Sequence, residues 1–230
     1  MSRQGVDPTS GGALPWPAEE LPGSPAAHHT TELRWFARGQ LPGRVRAWFT
    51  RPDAVTEARC DRYLVDQLVD VGIKIRGGRT LELKVRSDVR PWVDLGGGLG
   101  GRLEEWHKWS PADDVVDIPA YGRWISVDKV VSKRRFAATG TEIAMAGEPS
   151  GAGCDVEVTD VAVGSTQAWS FAFAAFGPPA TRRAALHASW RALTASGSVP
   201  AALARELGWP MGYPQWLARR QAHEYQEILR

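Results

Sequence analysis

Residues 59–86, RCDRYLVDQLVDVGIKIRGGRTLELKVR, predict a strand, a connection, a second strand, a tight turn and a third strand. Side chains at alternate positions of a strand share one face. The charged residues that alternate in this way are Lys74 and Arg76 on the second strand, then Glu82, Lys84 and Arg86 on the third. The sequence therefore predicts two neighbouring strands that carry a cationic ladder.

A strand face with alternating Lys and Arg is unusual in a protein core, because burying an unpaired charge costs several kcal/mol per ion. The face is either exposed to solvent, as one face of many antiparallel sheets is, or it lines a wet cavity. A cavity lined by cations holds an anion, and the planar fork of Arg suits phosphate. Both interpretations are open at this point.

A third basic strand is predicted in residues 121–136, YGRWISVDKVVSKRRF. If no bulge intervenes, Lys129, Lys133 and Arg135 share one face, and Arg134 points the other way. Three cationic strands favour a basic lumen over scattered surface charge.

The order of these motifs resembles the CYTH-like, or triphosphate tunnel metalloenzyme, superfamily. The resemblance rests on Asp61 and Tyr63, followed by IKIR at 73–76 and LELKVR at 81–86. It extends through VDKVVSKRRF at 127–136, CDVEVTDV at 154–161 and WSFAFAAFG at 169–177. It covers residues 31–217 loosely, and the chain is identified as a divergent member.

The resemblance implies an α+β fold, in which an antiparallel β-barrel forms a tunnel and helices cover its wall and ends. We expect one domain from residue 30 to residue 230, after a disordered leader at 1–29 that is rich in Gly, Pro, Ser and Ala. Helices are predicted within 38–52, at 181–196 with Thr181 as N-cap, at 200–207, and from Tyr213 onward. Residues 102–109 also look helical, after a glycine-rich loop at 96–101.

The resemblance also implies a site in which basic residues hold a phosphate chain and carboxylates hold Mg²⁺ or Mn²⁺. The residues expected to act in catalysis are Lys84, Arg76 and Glu157. Those expected to bind substrate are Arg34, Lys74, Arg86, Lys133 and Arg135. The expected metal ligands are Glu32 and Glu157.

Two acidic positions of the family are missing here. Along the first strand Glu32, Arg34 and Phe36 alternate, so a single carboxylate remains there. Ala174 or Ala175 stands where family members commonly carry Glu. Glu157 is either a metal ligand or an ion-pair partner of Arg76 or Arg135.

The expected function is binding of a phosphorylated small molecule in a basic tunnel, with metal-dependent hydrolysis of an organic triphosphate if the protein is an enzyme. One alternative is a protein that binds an anionic ligand without hydrolysing it. Another is a tunnel fold recruited to a different reaction on an anionic biosynthetic intermediate.

Composition limits the partners. A formal charge of +2 over 230 residues gives no global attraction for a polyanion, so a nucleic-acid partner is not expected. Two cysteines form no disulfide framework, and no apolar run approaches about 20 residues. We therefore expect a cytoplasmic protein with no membrane contact, whose oligomeric state the sequence leaves open.

Overall fold

The computed structural model describes residues 28–51, 54–65, 68–110, 122–145, 151–195, 197 and 199–228. The strands are β1 (His28–Arg38), β2 (Val55–Leu64), β3 (Val71–Arg76), β4 (Thr80–Gly96), β5 (Leu99–Trp109), β6 (Trp124–Ala137), β7 (Glu142–Ile143), β8 (Gly153–Val163) and β9 (Thr166–Phe176). The helices are α1 (Gly43–Phe49), α2 (Pro179–Ala195), α3 (Ala201–Glu206) and α4 (Tyr213–Ile228).

Eight antiparallel strands close into a barrel, which confirms the predicted α+β barrel fold. The strand order is β2-β3-β4-β5-β1-β9-β8-β6, and β6 pairs back to β2 over the full length of β2. The short β7 pairs antiparallel with Arg135 and Phe136, near the end of β6. Closure gives each of these eight strands a hydrogen-bonded neighbour on both sides.

The main hydrophobic core lies outside the barrel, between its wall and the first three helices. On β9 the large side chains Trp169, Phe171 and Phe173 point outward and are fully buried. They pack with Leu186 and Trp190 of α2. The inward residues of β9 are small, namely Ala168, Ser170, Ala172 and Ala174, and their size leaves room inside the barrel.

The interior of the barrel has two halves. At one end the first turns of α4 enter the barrel, and Leu217 packs with Val127, Val161, Val163 and Ala168. Trp216 of α4 stacks on Phe36 with ring centres 4.6 Å apart. The other half, where β1 begins and β9 ends, is an open cavity. The barrel is therefore filled by apolar side chains at one end and opens at the other.

Two local predictions were wrong. Residues 102–109 belong to β5 rather than to a helix, because this segment pairs with β4 on one side and β1 on the other. The preceding glycines form a tight hairpin turn, with Gly97 and Gly98 at φ values of 64° and 83°. Thr181 does not cap α2: the helix begins at Pro179, and the Thr181 hydroxyl donates to the carbonyl oxygen of Pro178.

The described part of the chain starts with strand β1. Strand β1 begins at His28, two residues before the predicted domain boundary, and residues 1–27 of the predicted leader lie outside the described residues. No helix in the described part of the chain is long and apolar enough to cross a membrane.

Candidate functional site

The open half of the barrel is a cavity of about 760 Å³ with an excess of positive charge. Its volume is in the range of small-molecule sites. Among the described residues, ten Lys or Arg and four Asp or Glu line it. Low-dielectric walls around one sign of charge concentrate the electrostatic potential, so a local excess of cations can matter although the whole chain is nearly neutral.

Eight of the nine predicted site residues line this cavity. They are Glu32, Arg34, Lys74, Arg76, Lys84, Lys133, Arg135 and Glu157. They come from β1, β3, β4, β6 and β8, and closure of the barrel brings these strands face to face. The period-two prediction for the charged strands therefore matches the observed inward face.

Arg86 is the exception, because it does not line the cavity. Its guanidinium forms ion pairs with Glu104 and Asp70 and lies 5.8 Å from the ring of Trp106. The alternation along β4 predicted the direction of Arg86 correctly, but no local pattern indicates its ion pair with Glu104 of β5. A substrate-binding role for Arg86 stays a prediction.

Asp61 organises the inner part of the site. This carboxylate is fully buried and accepts hydrogen bonds from Arg59 (3.1 Å), Lys74 (3.4 Å) and Lys129 (2.9 Å). It also accepts from the backbone amide of Gly77 in the β3–β4 turn, at 3.3 Å. Burial opposes its ionisation, but the charges of Lys74 and Lys129 outweigh that cost and hold its pKa well below the usual range. Asp61 thus fixes three cavity cations in place.

Sequence reasoning placed Asp61 in the family pattern but not in the site. The available signal was its alternation with Arg59 and Tyr63 on β2, which puts an acid on a face otherwise lined by a cation and a phenol. Its role as a shared acceptor depends on β3 and β6 flanking β2, which only the closed barrel establishes.

The floor of the cavity joins β1, β6 and the last helix. The Tyr213 ring lies 3.9 Å from Nζ of Lys129 and 4.9 Å from the guanidinium carbon of Arg34. Lys129 is 4 % exposed and also donates to the Tyr63 hydroxyl at 2.7 Å. Burial and the charge of Lys74 lower the pKa of Lys129, against the opposing effect of Asp61. At the floor, two buried cations therefore lie close to one aromatic ring.

The four acidic side chains of the cavity are engaged by its cations. Both oxygens of Glu32 lie 2.6 Å from Nζ of Lys84, and Glu82 lies 2.8 Å from Lys74. Asp155 accepts two hydrogen bonds from Arg135, at 2.6 and 2.9 Å. Burial disfavours ionisation of Glu32, yet Lys84 and Arg34 lower its pKa overall. The pKa of Glu82 is likewise lowered, to about 2, because the charge of Lys74 and its neighbours outweighs the effect of burial.

Glu157 pairs with Arg34 and Lys133, not with the Arg76 or Arg135 predicted from the sequence. The reason is register: Lys133 lies directly opposite Glu157 on the neighbouring strand, whereas Arg135 lies opposite Asp155. Despite burial, the charge of Arg34 together with that of Lys133 holds the pKa of Glu157 well below its usual range.

The acids of the cavity are placed beside its cations. No group of three or more His, Cys, Asp or Glu in the described ranges is placed to hold a metal. Glu32 and Glu157, the expected ligands, each already have cationic partners. The structure also distinguishes the two candidate positions for the missing acid, since Ala174 lines the cavity and Ala175 is buried in the outer core.

Comparisons with protein-family models, curated proteins and solved structures gave no match to this chain. The resemblance to the CYTH-like superfamily, with the metal and the reaction that it implies, therefore stays a prediction. The candidate site rests on the geometry of the barrel and the charges that line it.

Proposed function

We propose that the protein binds a phosphorylated small molecule of high negative charge in the barrel cavity, using its own cations and no protein-held metal. The observation that supports this most directly is the excess of ten cationic over four acidic residues in one cavity. The four lining acids, together with Asp61, Glu57 and Glu105, which pair with lining cations from outside the lining, offset only part of that charge. An anionic ligand offsets the remainder.

Phosphate is the best match among anions because the cations surround the cavity instead of forming one cluster. Arg34 and Lys84 approach from the β1 and β4 sides, and Lys133 and Arg135 approach from β6. A chain of phosphoryl groups presents oxygens in all directions along its length, whereas a carboxylate presents two in one plane. The forked donors of Arg bind two such oxygens at once.

The positions of the acids support a role in arranging the cations. Glu32 fixes Lys84, Glu82 fixes Lys74 and Asp155 fixes Arg135, each within 2.9 Å. Long cationic side chains lose rotamer freedom on binding, and holding them in advance reduces that cost. The cavity is therefore pre-organised for an anion.

The experiment is a thermal-shift titration with inorganic tripolyphosphate, ATP and citrate, each in Mg²⁺, in Mn²⁺ and in EDTA. We expect the two phosphates to raise Tm in EDTA, by about 5–10 °C at a hundred times Kd for a chain of this size. Citrate should raise Tm by a smaller amount than either phosphate. Absence of any shift with phosphates would overturn the proposal.

A matched pair of variants tests the location. Lys133→Ala removes a cavity cation, and Arg44→Ala removes an exposed cation of α1 that pairs with Glu206 outside the barrel. Only Lys133→Ala should weaken the rise in Tm that the phosphates produce.

The titrations in EDTA also test the metal prediction. A rise in Tm that requires Mg²⁺ or Mn²⁺, together with release of phosphate, would favour the metal-dependent hydrolase instead.

A further inference from the structure

Two buried hydroxyl groups at the floor of the cavity have no hydrogen-bond partner among the residues that the structure describes. They belong to Thr159 of β8 and Tyr213 of α4, and both side chains line the cavity. Thr159 is 1 % exposed and lies two positions from Val161, in the apolar end of the barrel. Burial raises the pKa of Tyr213 and the nearby Ser170 hydroxyl opposes that rise, but the two hydroxyls form no hydrogen bond of ordinary geometry. A buried hydroxyl without a partner costs free energy, so each of these two groups calls for a partner from outside the chain.

The cations at the floor are already engaged by the protein. Lys129 donates to the carboxylate of Asp61 at 2.9 Å and to the hydroxyl of Tyr63 at 2.7 Å. Arg34 forms an ion pair with Glu157. The floor therefore offers neutral hydroxyl groups to a ligand, and its charges are satisfied from within.

Cations with more accessible charge lie on the cavity wall, outside the floor. The side chains of Lys133, Lys84 and Arg76 are 25 %, 31 % and 36 % exposed, although each has acidic partners. They line the same cavity as Thr159 and Tyr213. One ligand can therefore contact two chemically different regions at once, a cationic wall and a floor with neutral hydroxyls.

The floor also has an apolar surface that suits carbon atoms. Val131 lies directly opposite Thr159 on the neighbouring strand and lines the cavity, as does Pro214 beside the Tyr213 ring. Burying apolar atoms of a ligand against these side chains is favourable. Small-molecule sites commonly combine such a surface with a few placed polar groups that fix the orientation of the ligand.

We propose that the floor binds an uncharged polar group on the organic part of the ligand, a hydroxyl, carbonyl or ring nitrogen, through the hydroxyls of Thr159 and Tyr213. The phosphate groups stay with the wall cations, and the ligand enters with its organic part first. This inference rests on the proposed function and narrows it to phosphorylated molecules whose organic part carries hydrogen-bonding groups. A phosphate chain without an organic part leaves both hydroxyls unpaired.

Thr159→Val replaces the hydroxyl by a methyl group and tests the inference in two ways. Without ligand, Tm should stay level or rise, since the change removes a buried polar group that has no partner. With ATP in EDTA, isothermal titration calorimetry should show an affinity lower by about five- to tenfold, because one hydrogen bond to the ribose or base is lost. The affinity for inorganic tripolyphosphate, which has no organic part, should change by less than about twofold.

Two further variants separate the hydroxyl from the shape of the side chain. Thr159→Ser keeps a hydroxyl and should hold the affinity for ATP within about twofold of the wild type. Tyr213→Phe removes the second hydroxyl and keeps the ring, so it should weaken ATP binding while leaving tripolyphosphate binding unchanged.

The failures are distinguishable. If Thr159→Val lowers Tm by more than about 4 °C, its hydroxyl has a partner in the free protein, and the inference is overturned. Equal effects of Thr159→Val on ATP and tripolyphosphate, or no effect on either, overturn it as well, while the proposed function stands. So does a wild type that binds tripolyphosphate but not ATP. If the wild type binds neither, the proposed function itself is overturned.

Discussion

Nζ of Lys129 on β6 lies 3.9 Å from the centre of the Tyr213 ring at the start of α4. The contact joins the barrel wall to the last helix at the floor of the cavity. The same ring faces Arg34 at 4.9 Å. One aromatic side chain therefore helps to stabilise two buried cations whose like charges repel each other.

Replacing the Tyr213 ring tests this contact. Tyr213→Leu removes the aromatic face and should destabilise the protein by about 2–4 kcal/mol, from lost packing plus the cation–π contribution. Tyr213→Phe keeps the ring and should cost less than about 1 kcal/mol. Urea unfolding followed by tryptophan fluorescence measures both. Equal losses for the two variants would show that the ring face is not what stabilises the floor.

Removing the charge of Asp61 should be the most damaging conservative change in the site. Asp61→Asn leaves Arg59, Lys74 and Lys129 without their shared anion, and breaking a buried ion pair in this way costs about 3–5 kcal/mol. The matched control is Asp88→Asn, whose pair with Arg90 is exposed and should contribute less than about 1 kcal/mol. Chemical denaturation gives both values, and a loss under about 1 kcal/mol for Asp61→Asn would contradict the assigned role.

Glu82 should make stability depend on pH in the acid range. Its pKa is about 2 in the folded protein, and about 4.3 is expected when the chain is unfolded. A depressed folded pKa stabilises the protein above the unfolded pKa, and that contribution is lost as the pH falls from about 5 towards 2. Its size is on the order of 3 kcal/mol.

The variant Glu82→Gln should therefore flatten the loss of stability between about pH 5 and pH 2. Glu206→Gln, on the exposed side of α3, should leave the profile of the wild type unchanged. The measurement is the unfolding free energy of the wild type and of both variants at several pH values. A profile for Glu82→Gln as steep as that of the wild type would place the acid sensitivity elsewhere.

Two neighbouring cations of β4 should behave differently towards a ligand. Lys84→Ala removes a cavity cation and should weaken tripolyphosphate binding by about tenfold or more, the loss of one charge-assisted hydrogen bond. Arg86→Ala removes a side chain engaged by Glu104 and Asp70, so it should lower stability and change affinity by less than about threefold. Calorimetric titration of both folded variants provides the comparison, and equal losses of affinity would return Arg86 to the binding site.

Restoring an acid at Ala174 should create sensitivity to metal. Ala174 lies directly between Glu32 on β1 and Asp155 on β8, so Ala174→Glu puts three carboxylates in one row across the barrel. We expect Mg²⁺ or Mn²⁺ to raise the Tm of this variant more than that of the wild type, because oxygen ligands suit both ions. Ala175→Glu, which buries the new charge in the outer core, should fail to fold stably. No gain with metal for Ala174→Glu would rule out this row as a latent metal site.

Much of the wall was predictable from local pattern. Period-two alternation placed Lys74, Lys84 and Lys133 on one face of their strands, because successive side chains of a strand point in opposite directions whatever it packs against. The helix at 181–196 was predicted from the spacing of Leu186, Trp190 and Leu193 at i, i+4 and i+7. The error at 102–109 came from judging a short segment without its partners, since pairing with β4 and β1 outweighs a weak helical pattern.

The sequence by itself determined which residues are charged, how they alternate, and therefore that a cationic strand face exists. The tertiary structure alone decided that this face is the inside of a closed barrel and that Asp61 is shared by Lys74 and Lys129. It also decided that Arg86 is held by Glu104 and Asp70, and that Tyr213 of α4 closes the floor. The physical reason is the difference between local and long-range interactions along the chain. Alternation follows from the geometry of a single strand, whereas ion-pair partners and closure depend on register between strands and on a helix far along the chain, where many pairings have similar local energies.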